Sequence, residues 1–157
     1  MTTTFFEDLC RQASRELRLD DSEAMGREEP VELGEVSIEV LHQELDGSLL
    51  VLAELGQATA DEPARVYEQL LSLQYLLWHQ PGIRFGYRDE DASVVLMLGV
   101  PLREDMNGEW LARALKGMAE QVAHWRGTLL AGLFAWGDTA NGAGHPHSSA
   151  PQHAAMV

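Results

Sequence analysis

The segment SVVLMLGVPL, residues 93–102, carries no charge before Arg103 and is apolar at both parities. Side chains alternate across a strand, so Val94, Leu96 and Leu98 take one face while Val95 and Met97 take the other. Such a strand needs cover on two sides. Leu49 to Leu55 makes the same demand, and 157 residues must meet it. That length predicts one domain, burying somewhat under ~70% of the unfolded surface. It supports a single core, but not two helical layers around a large parallel sheet.

The flanking patterns supply the other elements. In FFEDLCRQASRELRL, Phe6, Leu9, Cys10, Ala13 and Leu17 fall at helical spacing. Thr3 or Thr4 can cap this helix, and Glu7 and Asp8 suit the positive end of its dipole. DDSEAMGREEP breaks the period with charge, Gly26 and Pro30, and reads as an exposed loop. VELGEV adds a short strand. Period two then governs, with Val36, Ile38 and Val40 opposed to Ser37, Glu39, Leu41 and Gln43. Asp46-Gly47 signals a hairpin turn, because glycine accepts the positive φ required there.

A second helix opens at Glu62-Pro63, with Asp61 as its cap, and ends at Pro81-Gly82. Val66, Leu70, Leu73 and Leu77 form its apolar stripe, widened by Tyr67, Leu71, Gln74, Tyr75 and Trp78. A helix apolar around so much of its circumference is covered on more than one side. IRFGYR and SVVLML make a second hairpin around Asp89-Glu90-Asp91. The third helix starts near Asn107, carries Leu111, Leu115, Met118, Val122, Trp125 and Leu129, and extends to Phe134 or Trp136. Residues 137–157 are poor in large apolar side chains and cannot offset the entropy of ordering, which predicts a disordered tail behind a domain of residues 1–136. Hairpins make the sheet antiparallel and the order α-β-β-β-α-β-β-α, an α+β fold.

Chemistry is scarce. His42, His79 and His124 stand in no HExxH spacing, and neither GxSxG nor a phosphate-binding glycine loop occurs. His145, His147 and His153 lack any ligand framework, and Asp89 to Asp91 read as a solvated turn, so neither a metal site nor a cofactor is expected. Cys10 is the single cysteine and reads as a small buried hydrophobe. The N-terminal segment has Glu7 and Asp8 where a signal peptide is basic and apolar, and no run is long enough to span a membrane. A cytoplasmic protein is expected. With 25 acids against 11 bases, formal charge −14, nucleic acid and anionic membranes are disfavoured partners.

The informative feature is therefore surplus apolar surface. Monomers seldom leave patches beyond a few hundred Å² uncovered. At ~25 cal/mol per Å², covering one such strand face is worth several kcal/mol.

The amphipathic FFEDLCRQASRELRL, the Asp-Gly hairpin through SLLVLAELG, the apolar helix ending LLSLQYLLWHQ, the IRFGYR/SVVLML pair and the long last helix together resemble the class I type III secretion chaperones, the Tir-chaperone (CesT-like) family of bacterial pathogens. The low-complexity tail is similar to that of broad-specificity members from plant pathogens. The resemblance implies a cytoplasmic homodimer joined through Val66, Leu70, Leu73, Tyr75, Leu77 and Trp78 of the second helix, with Phe85 and Tyr87 of the adjoining strand. It also implies that Phe5, Phe6, Leu9, Ile38, Val40, Leu41, Leu49, Val51 and Ala53 hold an extended segment near the N-terminus of a secreted effector protein. The secretion-system ATPase is a further implied partner, and no catalytic residue is implied. Two other readings stand beside it: a small α+β enzyme with a site between the hairpins involving His42, His79 or His124, and a regulatory adaptor that sequesters a transcriptional regulator.

Overall fold

The computed structural model describes residues 3–80 and 82–133. The chain runs α1 (Thr3–Glu16), a 3₁₀ turn (Met25–Arg27), β1 (Val31–Leu33), β2 (Val36–Gln43), β3 (Ser48–Gln57), α2 (Pro63–Leu76), β4 (Ile83–Arg88), β5 (Ser93–Pro101) and α3 (Gly108–Gly127). The five strands form one antiparallel sheet in the order β1-β2-β3-β5-β4. Gly47 closes the β2–β3 hairpin at φ 63°, the positive value that the Asp-Gly pair predicts. The expected α+β order is found, including the short first strand.

Register decides which face is the core. Ile38 stands opposite Ala53, Val51 opposite Leu98, and Ala53 and Phe85 both opposite Leu96. Ile38, Val40, Leu49, Val51, Ala53, Val94 and Leu96 are all buried on this face. Against them, α3 packs on β2 and β3, α1 packs on α3, and α2 reaches β4. Phe6, Leu9, Cys10 and Ala13 from α1 complete the core with Leu111, Leu115 and Val122 from α3.

The opposite face carries Leu41, Leu50, Leu52, Val95 and Met97, each half-buried, with Leu52 beside Met97 in register. A cavity of about 330 Å³ over this face is lined by Pro30 and strand residues, Leu52, Val95 and Met97 among them. Glu39, Glu54 and Arg88 rim it, and Arg88 spans β5 to reach Glu54 at 3.0 Å.

Two side chains tie the sheet to its helices. Arg126 at the end of α3 donates to the carbonyl oxygens of Glu54, Leu55 and Glu35, at 2.8, 2.9 and 2.7 Å. It thereby holds the irregularity where β3 shifts register between Glu54 and Gly56. Gln74 of α2 accepts from the Phe85 N–H at 2.8 Å and donates to the Ile83 oxygen at 3.3 Å, bonding the outer edge of β4.

Several local expectations are corrected. Helix α1 starts at Thr3, so Glu7 and Asp8 fall in its second turn, and Asp8 pairs with Arg11 instead. The segment read as an exposed loop contains the 3₁₀ turn, whose Met25 is fully buried; ion pairs of Arg11 with Glu23 and of Arg27 with Asp21 and Glu29 fasten it. The α2 cap position is Glu62, one residue after Asp61, and makes no side-chain cap bond. Helix α3 begins after Asn107, whose side chain accepts from Trp110 N–H at 2.9 Å, but ends at Gly127. Beyond it Leu129 and Leu130 are buried, and the Leu130 oxygen accepts from Thr59 and Ala60 N–H groups, drawing the chain off the helix axis. Phe134, Trp136, the tail 137–157 with its three histidines, and Pro81 lie outside the described residues.

Two consequences can be measured. A Cβ on Gly108 would stand 2.3 Å from Gln12 Cβ and 2.6 Å from the Gln12 backbone carbon, so the α1–α3 contact leaves no room for a methyl group. Gly108→Ala is expected to destabilise the fold by ~1–3 kcal/mol in urea titration, despite its better helix propensity. Burial, and after it the negative charge of Glu28, pushes the Cys10 thiol up to about 12. Because the thiolate is the reactive form, Cys10 is expected to resist a thiol reagent at pH 8 in the native protein and to react once unfolded.

Candidate functional site

Among the described residues, three surfaces hold apolar groups that the others leave uncovered. The first lies on α2 and β4. There Leu71, Tyr75 and Trp78 are 71, 77 and 79% exposed, with Tyr87 at 54% and Leu76 also exposed. The 3.6-residue period turns Val66 and Leu70 into the core while sending Leu71 and Tyr75 outward; the helix ends at Leu76, short of the expected Pro81-Gly82, and Trp78 stands exposed in the turn that follows. Tyr67 meets Tyr87 edge-on at 5.2 Å, and a cavity of about 400 Å³ opens between the two elements, lined by Leu70, Leu71, Phe85 and Val94. Desolvation, then the neighbouring Tyr67, raises the Tyr87 hydroxyl above the ordinary tyrosine range, so it stays protonated at neutral pH. Leu73 and Leu77 look the other way, into a cleft of about 460 Å³ with Ile83, Met118 and Trp125.

The second surface is the groove between the start of α1, the 3₁₀ turn and the far end of β2, about 800 Å³ in volume. Phe6 and Leu41 line it, His42 stacks on the Phe6 ring at 5.1 Å, and fully exposed Leu45 stands at its mouth. Its polar lining includes Glu28, Glu44 and Asp46. The third surface is the outer face of the sheet described above.

The residues expected to hold a client divide sharply. Phe6, Leu9, Ile38, Val40, Leu49, Val51 and Ala53 are at most 3% exposed, so they are the protomer's own core and offer a ligand little or no surface. Only Phe5 and Leu41 remain half-exposed. The face pointing away from the helices carries Leu50, Leu52, Val95 and Met97, which had not been picked out as client contacts. Charges could have identified that face, since Glu39, Glu54, Arg84 and Arg88 all share it by alternation. Of the residues expected at a dimer interface, Val66 and Leu70 are core, Leu73, Leu77 and Phe85 are half-buried, and Tyr75, Trp78 and Tyr87 are exposed.

Among the described residues the three histidines lie apart from one another. His42 lies against Phe6, His79 against Trp78 in the turn after α2, and His124 on the exposed side of α3. Among the described residues no imidazole bonds a carboxylate or hydroxyl, and no helix is long and apolar enough to cross a membrane.

Comparison with known proteins agrees with this geometry. The Tir chaperone protein (CesT) family model matches residues 27–126, from the 3₁₀ turn to the end of α3. The ExsC–ExsE complex contains a chain that superposes with a TM-score of 0.67 at 18% identity, covering 81% of this chain and 95% of that one. A chain of the HopA1–SchA chaperone–effector complex superposes with a TM-score of 0.61 at 17% identity, covering 80% and 96%. No curated protein matches the sequence. At such identities the superpositions establish the fold, and the family match reaches further. With its sheet, its three helices and its uncovered apolar faces, the chain belongs to the Tir chaperone protein (CesT) family.

Proposed function

We propose that this chain is a type III secretion chaperone of the bacterial cytoplasm that works as a homodimer, binds an extended N-terminal segment of secreted effectors, and keeps it unfolded for the secretion apparatus. The observation that carries the proposal is the placement of apolar side chains outside a finished core. Leu71, Tyr75, Trp78 and Tyr87 are exposed although Val66 and Leu70 already anchor α2. One of the superposing structures is itself described as a chaperone–effector complex, which supports an effector segment as the client here.

A homodimer through α2 and β4 accounts for the first surface. Two-fold contact is self-complementary, so the exposed Trp78 and Tyr75 of one protomer meet the same patch or its cavity on the other. Such aromatic groups are the usual energetic centre of an interface. A client accounts for the second and third surfaces. An extended chain can pair with an open strand edge and place alternate side chains in pockets, and its release breaks only hydrogen bonds and apolar contacts. We assign the protein no catalytic step. The secretion ATPase is the partner to which a loaded dimer is delivered.

Two measurements test the proposal. Wild-type protein is expected to show the mass of a dimer, and Trp78→Ala combined with Tyr75→Ala to shift it to monomer at micromolar concentration with the fold intact by circular dichroism. The N-terminal segments of effectors encoded by the same bacterium, co-expressed one at a time, are expected to co-purify with wild type. Leu52→Asp with Met97→Asp is expected to lower that recovery about tenfold or more, because each charge stands in the apolar face the segment covers. A monomeric wild type that recovers none of these segments overturns the reading.

A further inference from the structure

Resting on the chaperone reading, the groove between α1, the 3₁₀ turn and β2 also specifies what kind of segment enters it. Strand β1 pairs only with Val36, Ser37 and Ile38, so among the described residues β2 from Glu39 to Gln43 has no strand partner on that side. The edge is not bare. The His42 N–H donates to Glu28 Oε1 at 2.7 Å, a side chain standing where a neighbouring strand would offer a carbonyl.

The charges around that bond are unbalanced. Among the described residues, Glu28, Glu44 and Asp46 line the groove without an ion pair: Glu44 accepts from the Thr3 hydroxyl at 3.2 Å, and Asp46 from Ser48 N–H and hydroxyl at 3.2 and 2.6 Å. The one cation in the lining, Arg27, is already held by Asp21 and Glu29, both at 2.7 Å. The floor is apolar, with Phe6 and Leu41, and the His42 Nε2 atom is buried against it without a hydrogen-bond partner.

We propose that this groove takes an extended client segment in which a Lys or Arg neighbours a large apolar residue, and that Glu28 is the group that reads the positive charge. To pair with β2, a client carbonyl must take the His42 N–H and displace the Glu28 carboxylate. A neutral client leaves that carboxylate with a charge-assisted bond lost and two other unpaired acids nearby. An acidic client adds repulsion. A basic client gives Glu28 a new partner, so one exchange satisfies the strand edge and the charge together. The apolar neighbour packs on half-buried Leu41, beside the stacked Phe6 and His42 rings.

The test uses the full-length protein and three fluorescent peptides of about twelve residues, alternating Val and Leu with Ser, identical except for two central positions that are Lys, Gln or Glu. Anisotropy at low salt is expected to rank them Lys over Gln by about tenfold, with no measurable binding for Glu. The Lys advantage is expected to shrink toward unity in about 0.5 M NaCl, where exposed charges are screened. The triple variant Glu28→Gln, Glu44→Gln, Asp46→Asn, checked for native melting, is expected to bind the Lys and Gln peptides alike, while Glu28→Gln alone removes most of the difference. Equal binding of all three peptides by wild type overturns the charge preference and leaves the chaperone reading standing. Failure of every peptide to bind overturns this use of the groove, and co-purification of effector segments then decides the broader reading separately.

Discussion

The structure turns on a mismatch between a sheet with two apolar faces and helices that cover only one. Strands β3 and β5 are central and carry large hydrophobes at both parities. Helices α1 and α3 stack on the side of Ile38, Val51 and Leu96, which are buried there. An antiparallel sheet ordinarily turns a polar face to water when only one side is packed. Here Leu50, Leu52, Val95 and Met97 occupy that face, interspersed with Glu39, Glu54, Arg84 and Arg88.

The same division runs through α2. Val66 and Leu70 enter the core, Tyr67 packs against it, and Leu71, Tyr75 and Leu76 point away from the protomer. A helix built only to fill a core would carry polar residues there. The acidic surface, formal charge −14, limits what those exposed groups can join indiscriminately, since like-charged copies repel until a complementary face is presented. Adhesion and repulsion together select partners.

Much of this was legible in the residues. Period-two segments, the Asp-Gly turn and the apolar helical stripes placed the five strands and three α-helices, because each is set by neighbours in sequence, while the 3₁₀ turn and the ends of α2 and α3 were not reached. The resemblance to the Tir-chaperone family rested on that order. The face assignment was not reached, although the signal existed: Ile38 and Val40 share their side of β2 with no charge, whereas Ser37 and Glu39 mark the other side. The client positions implied by the resemblance drew on both sides of β2, Leu41 with Ile38 and Val40, and of their strand residues only Leu41 lies outside the core. Met25 escaped notice because it stands alone among acids and a glycine, and only the packing of α1 over the 3₁₀ turn buries it. Arg126 was also invisible, since its three carbonyl partners come from segments 71 to 91 residues away.

The bond from Gln74 to β4 bears on a hazard peculiar to such a molecule. A protein that handles unfolded chains carries sheet margins that could template those chains into fibrils, or fuse one sheet to the next. By occupying Phe85 N–H and Ile83 oxygen, the Gln74 amide imitates a final strand and ends the sheet at β4. A strand arriving at that margin would first have to displace the Gln74 amide from the middle of β4. At the opposite margin the corresponding obstacle is brevity, since β1 is three residues long and follows Pro30.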